Sequence, residues 1–447
     1  MKINLNNFIR IISLLSITTV TVIITIAFKS SLLSSLMFVL LTLTYLFSTR
    51  KILGVVLNPL TIFGTFWFMV SIVTFYPWGN NIFIFKEGFF TTTFVIVYWV
   101  STISIILGLL LPFLVINYNK DYINNLLQKL EQSSLSILSN KIYQINILLY
   151  LIVITSYIIY YLNIGSIPIL TGNKVNEVNG NVNIIGLSYL KNLSWVSVSL
   201  SLVNYFLYSN KKIKYTNPLL FVITIILITI EGKKWSVVGI LLIVFFYIIL
   251  FNLKRYKSII FGMLLLLIVV FLGNFYMRDL YSTFKLNYLN TGLVNIDNNF
   301  GPIAVYISNY VWKNFFVVQQ ILETNIDYSY GTNTFKFLIS PFLSSDVQSN
   351  LIKANEFFEG NAVVFFGYYY LDFGILGAIL VSFFTGLFSS YIYIKMHYKL
   401  IPYVIIYGFI FKNLILLFAQ NTFSSTIFWF NCFFVILLFK FVFKKFE

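Results

Sequence analysis

The sequence predicts an all-α polytopic membrane protein with about twelve transmembrane helices and one large external loop between the ninth and tenth. Three observations carry this prediction. Of 447 residues, 59% are hydrophobic and 19% aromatic, while only 10% are charged. Mean hydropathy is +0.88. The apolar residues also gather in runs near the roughly 20 residues that a helix needs to cross the hydrocarbon. A soluble domain carries about 25% charged residues, so a water-soluble fold is excluded.

Taken in order, the runs are 8–28, 31–49, 53–75, 92–117, 143–163, 186–208, 215–230, 235–252, 258–276, 372–394, 401–420 and 422–439. The whole chain, 1–447, reads as a single integral membrane domain. The first run follows Lys2 and Arg10 and shows no small-residue cleavage site before Lys29, so it reads as a retained signal anchor. Segment 118–142 forms a cytoplasmic loop. Within it Leu126, Leu127, Leu130, Leu135 and Leu138 are spread among polar residues, as on a surface helix. Segment 277–371 is too long for a simple turn and forms the large extracytoplasmic loop. Inside that loop Ile303, Ile307, Tyr310, Val311, Val318, Ile321 and Leu322 fall near helical spacing. They predict a helix over 301–325 that lies on the membrane or packs over the bundle. A short extra span or re-entrant segment is the alternative. Heptads, internal repeats and low-complexity tracts are absent from the sequence.

The 30 Lys and Arg against 14 Asp and Glu give a formal net charge of +16. In a soluble protein that excess would suggest nucleic acid, but in a membrane protein it encodes orientation. With the N-terminus inside, 18 of the 30 basic residues lie on the inner side, where the acids are Asp121, Glu131 and Glu447. The outer side is formally balanced, with Lys191 near the outer end of its span and Lys412 left in mid-span. Both termini are therefore expected in the cytoplasm and the long loop outside. No nucleic-acid partner is expected. One Cys (Cys432) and one His (His397, on the inner side) allow no intramolecular disulfide and no Cys/His zinc-type site.

Charges held at membrane depth are costly and are functional candidates. The sharpest case is Glu231-Gly232-Lys233-Lys234-Trp235-Ser236, between the seventh and eighth spans. The chain crosses twice between Lys214 and Lys254, so this turn has little freedom to rise above the outer headgroups. Two ammonium groups there sit at the start of a helix, where unpaired N–H groups and the helix dipole favour an anion such as a lipid-linked phosphate. A tight turn whose lysines snorkel to headgroups fits the same residues. The turn is not a nucleotide P-loop, because the preceding glycine is missing. Arg278 and Asp279 follow the ninth span and add a cation and a carboxylate at the outer surface. Arg grips phosphate oxygens bidentately.

At the end of the long loop, Glu356, Glu359 and Asp372 supply carboxylates, Asn361 an amide, and Tyr368, Tyr369 and Tyr370 aromatic faces. Carboxylates and amides accept sugar hydroxyl hydrogen bonds, a carboxylate can serve as general base, and aromatic rings stack on sugar C–H faces. The tyrosines equally suit an interfacial belt, and Asp372 suits an N-cap of the tenth span.

Architecture and two local patterns resemble the O-antigen polymerase family, the membrane polymerases of oligosaccharide repeat units in bacterial surface polysaccharide assembly. Glu231-Gly232-Lys233-Lys234-Trp235-Ser236 resembles the family's Gly-then-cation start of a span, although members commonly carry Arg where this chain has Lys. The run 360–377, with Asn361, Asp372, Gly374 and Gly377, resembles its loop exit. The resemblance implies a membrane glycosyltransferase in the bacterial cytoplasmic (inner) membrane. It would transfer a glycan from undecaprenyl pyrophosphate to a sugar hydroxyl of another lipid-linked unit on the outer face. Its partners would be lipid-linked oligosaccharide, membrane lipids and other polysaccharide-assembly proteins, with no cofactor and no metal. Lys233, Lys234 and Arg278 would hold the pyrophosphate, with Asn361 and Tyr369 at the substrate and Glu359, Asp372 and Asp279 as the catalytic carboxylates. A flippase or transporter of lipid-linked oligosaccharide is the competing expectation. Related ligases usually carry a histidine in the external loop, which this chain lacks.

Overall fold

The structure, a computed structural model, describes residues 5–29, 31–49, 57–75, 90–115, 135–165, 186–207, 211–230, 234–251, 311, 314–315, 317–323, 328–339, 363–398, 400–419 and 422–442. These residues are helical or lie in short turns, with no strand among them. The helices are α1 (Leu5–Phe28), α2 (Leu32–Thr44, continued by a π turn Tyr45–Thr49), α3 (Pro59–Phe75), α4 (Thr92–Val115), α5 (Leu135–Ile164), α6 (Leu187–Asn192) and α7 (Ser194–Leu207). They continue with α8 (Lys211–Ile230), α9 (Lys234–Phe251), the single turn α10 (Lys336–Ile339), α11 (Phe365–Tyr398), α12 (Leu400–Leu416) and α13 (Thr426–Val442). Among the described residues, four helices are long and apolar enough to cross a membrane: Leu32–Thr49, Thr92–Val115, Asn140–Ile164 and Phe365–Met396. Six shorter apolar helices accompany them. This is an all-α protein with the apolar helices of a membrane-embedded chain.

Several expected boundaries move for identifiable reasons. The third span starts at Pro59 rather than at 53, because the Asn58 side-chain oxygen accepts the Thr61 N–H at 2.8 Å and proline supplies the first helical φ. The sixth is split at Leu193 into α6 and α7. The fifth begins at Leu135, so the last residues of the expected cytoplasmic loop already belong to its helix. The tenth begins at Phe365, inside the expected external loop, and is interrupted at Phe373 and Gly374. The ninth expected span, 258–276, lies outside the described residues.

The chain forms two compact units. The first comprises residues 1–121, 288–395 and 413–428. Its core is aromatic. Phe38 stacks on Trp99 at 5.7 Å and Trp67 on Tyr98 at 5.5 Å. Indole and phenol groups taken out of water are given partners: Trp67 Nε1–H donates to Thr102 Oγ1 (3.1 Å), Trp99 Nε1–H to Thr25 Oγ1 (2.5 Å), and Ser71 shares a hydrogen bond with the Tyr98 hydroxyl (2.6 Å). The helix expected over 301–325 is helical at its described residues 311, 314–315 and 317–323. Phe315 is fully buried and lies 5.7 Å from Trp67, and the Asn314 amide donates to the Phe418 carbonyl at 3.3 Å. The described residues of this segment therefore pack into the helical core of the first unit.

Helices α4 and α11 of this unit cross at glycine. A side chain on Gly108 of α4 would collide with the Phe383 carbonyl of α11, and one on Gly386 with the Ile105 carbonyl of α4. Small residues permit such close backbone approach where lipid offers no hydrophobic drive between helices. Ser390 Oγ–H locks the crossing by donating to the Leu109 carbonyl at 2.7 Å.

The second unit comprises residues 122–287, 396–412 and 429–447. Its helices are joined by buried polar pairs: the Asn146 amide donates to Ser201 Oγ (2.7 Å), Ser201 meets the Tyr150 hydroxyl (2.9 Å), and the Tyr161 hydroxyl donates to the Leu227 carbonyl (2.6 Å). Phe246 packs between Tyr407 (5.5 Å) and Phe411 (5.4 Å).

Gly108→Leu and Gly386→Leu are each expected to destabilise the protein by about 1–3 kcal/mol or more, because the obstructing atoms are backbone. The midpoint of thermal unfolding in detergent measures this.

Candidate functional site

Of the residues singled out in the sequence, Lys233, Arg278, Asp279, Glu356, Glu359 and Asn361 lie outside the described residues. Lys234 is the first residue of α9, the expected start of the eighth span. Asp372 and Tyr369 are described, and they have very different surroundings.

Asp372 is fully buried. One carboxylate oxygen accepts hydrogen bonds from Ser329 Oγ–H (2.7 Å), the Asn333 backbone N–H (3.1 Å) and the Asn333 side-chain amide (3.0 Å). The other accepts the Thr334 N–H at 2.5 Å. The backbones are paired as well: Ser329 N–H donates to the Leu371 carbonyl (3.0 Å) and Tyr330 N–H to the Asp372 carbonyl (3.2 Å). A segment of the long loop is thus laced to the first turns of α11. Asp372 does act as a cap, but for the turn leading into α10 and not for its own helix. Its own helix breaks immediately after it, at Phe373 (φ −141°, ψ 16°) and Gly374 (φ +62°, ψ −148°). The Gly374 conformation is one that only glycine adopts without strain. A side chain there would also meet the Tyr328 hydroxyl at 2.7 Å.

Tyr369 is only 1% exposed; its hydroxyl meets Thr385 Oγ1 at 3.1 Å and its ring lies 5.8 Å from Phe365. It is a core residue of the first unit. Tyr368 and Tyr370 are half-buried. The open rings beside Asp372 are others: Tyr330 is 79% exposed, Tyr328 47%, and Phe335 and Phe373 meet edge to face at 6.3 Å. Tyr328-Ser329-Tyr330-Gly331 carries no charge that would single it out in the sequence. An aromatic pair ending in a turn glycine, outside any apolar run, was the available signal.

A second polar locus lies within the second unit. Lys412, in mid-helix in α12, is 1% exposed and its ammonium stands 3.3 Å from the centre of the Trp195 ring. Gly239 of α9 makes the room: a Cβ there would lie 3.0 Å from Lys412 Cδ. Lys191, expected near the outer surface, is also buried, with its ammonium 3.3 Å from the Tyr160 ring centre and 5.4 Å from that of Tyr157. Aromatic faces attract a cation more strongly when it is desolvated. The sequence left Lys412 without a partner, and Trp195 supplies one.

Comparison with protein-family models, with curated proteins and with solved structures gives no significant match.

Asp372→Ala strands the buried N–H groups of Asn333 and Thr334, with an expected cost of about 2–4 kcal/mol; Asp372→Asn is expected to fall between Ala and wild type. Limited proteolysis across 328–339 reports the loosening. Lys412→Met keeps most of the volume with no charge to desolvate, so it is expected to match or exceed the wild type in thermal stability. Trp195→Ala opens a cavity and bares the ammonium, and is expected to lose about 3–5 kcal/mol.

Proposed function

We propose that the protein polymerises lipid-linked oligosaccharide repeat units on the outer face of the bacterial cytoplasmic membrane. The observation that carries this reading is the Asp372 network. It sits in the run 360–377 that resembles a polymerase loop exit, and it converts part of a long loop into a fixed surface beside a membrane helix. The apolar helical architecture supports the reading, as does the lysine turn at Lys233 and Lys234.

In this reaction a sugar hydroxyl of one lipid-linked unit attacks the anomeric carbon of the glycan on another. The C–O bond to undecaprenyl pyrophosphate breaks, the hydroxyl proton passes to a carboxylate, and the pyrophosphate leaves with the bonding pair. Lys233, Lys234 and Arg278 are the cations assigned to the developing pyrophosphate charge, the kind of fixed electrostatic assistance that lowers such barriers. Glu359 and Asp279 are the carboxylates assigned to the proton. Asp372, with its oxygens filled by loop donors, is assigned a positioning part.

A second reading, a flippase or transporter of lipid-linked oligosaccharide, is favoured by one observation. Two buried lysines, Lys191 and Lys412, lie in the second unit, and polar groups deep in a bundle mark transport pathways.

Purified protein in liposomes, given lipid-linked repeat units on one side, is expected to lengthen the glycans on that side. Lys233→Ala and Arg278→Ala are each expected to shorten the products by reducing turnover about 100-fold, the scale of one lost charge-stabilising group. Wild-type chain lengths from both variants would sink the pyrophosphate assignment. Translocation without lengthening, lost in Lys412→Met, would establish the transporter instead.

A further inference from the structure

We infer that Tyr330, with Tyr328 beside it, is a stacking platform for a sugar ring of the lipid-linked glycan; this rests on the polymerase reading and names where its glycan is gripped. Tyr330 is the most exposed of the large hydrophobic side chains among the described residues, at 79%, yet its backbone is fixed by its N–H bond to the Asp372 carbonyl. It holds φ +45°, a left-handed conformation that disfavours a bulky residue and suits Gly or Asn. A strained, rigid backbone presenting a bare ring to the outside is how binding surfaces are pre-organised.

The surroundings select the ligand class. Below the break at Gly374, Leu376, Leu380 and Phe384 recur at four-residue spacing on one face of α11, and all are more than half exposed. Such a face meets acyl chains. A tyrosine platform tied by its backbone hydrogen bond to the same helix that carries a lipid-facing stripe fits a molecule that is polyprenyl at one end and sugar at the other. Tyrosine offers both parts of sugar recognition, a flat face for C–H groups and a hydroxyl for hydrogen bonding.

The test uses the full-length protein in nanodiscs. The probe is the water-soluble oligosaccharide released by mild acid from the lipid fraction of host cells lacking this protein. Isothermal titration is expected to show binding to the wild type, a smaller loss in Tyr330→Phe, which keeps the ring and removes only the hydroxyl, and about tenfold weakening in Tyr330→Asn, which removes the ring without adding backbone strain. Thermal unfolding of Tyr330→Asn is expected to match or exceed the wild type, so weakened binding reports the ring and not the fold. Equal affinity of Tyr330→Asn and wild type would overturn the platform, and so would absence of binding to the wild type, the result expected if these rings only anchor the chain at the bilayer surface. Glycan lengthening by the wild type with unchanged affinity in Tyr330→Asn overturns the platform alone. Loss of lengthening by the wild type itself removes the polymerase reading as well.

Discussion

A bilayer interior holds no water to satisfy a polar group, so each one carried into it needs a partner within the chain. Much of what is specific in this structure answers that constraint. Threonine and serine hydroxyls return to the carbonyl four residues back, as Thr18 does to Leu14 and Ser71 to Trp67. Indole N–H groups find threonines on neighbouring helices, and the Lys412 ammonium finds the face of Trp195. The polar atoms thereby fix which helix faces meet, a choice that apolar side chains surrounded by equally apolar lipid tails leave poorly determined.

The same constraint shapes the polar end of α11. α11 enters its unit across α4 at a glycine contact too close for any side chain, and its first turns carry a buried carboxylate. A carboxylate there is tolerable only when filled with donors, and the donors come from a loop segment far away in sequence, Ser329, Asn333 and Thr334. One acid therefore does two jobs, satisfying its own charge and the free N–H groups of a turn. The break at Gly374 lets the helix resume in the apolar stripe below while Tyr328 and Tyr330 stand outside it. The functional reading builds on that division between a fixed polar end and a lipid-facing shaft.

Several features were legible in the residues and others were not. Apolar runs coincide with the described helices because hydrophobicity averaged over about twenty residues is a robust quantity. Helix starts moved where one residue decided them: Asn58 and Pro59 delayed the third span, and Phe365 advanced the tenth by packing into the aromatic core beside Trp67 at 5.2 Å. Asp372 reads as a cap from its place at a helix start, but linear spacing cannot show a turn 38 residues upstream arriving at its oxygens. Tyr369 is one of three consecutive tyrosines, and the helical period turns it into the core.

By itself the sequence determined that this chain is helical, apolar enough for a membrane and strongly basic, because these follow from composition and run length. Only the tertiary structure decided which polar residues are satisfied and which rings remain open. Asp372, an acid expected at a surface, is buried by the fold, while Tyr330, which no charge marks out in the sequence, is held open. The physical reason is that burial and hydrogen bonding are made by residues distant in sequence, such as Ser329 with Asp372 and Trp195 with Lys412.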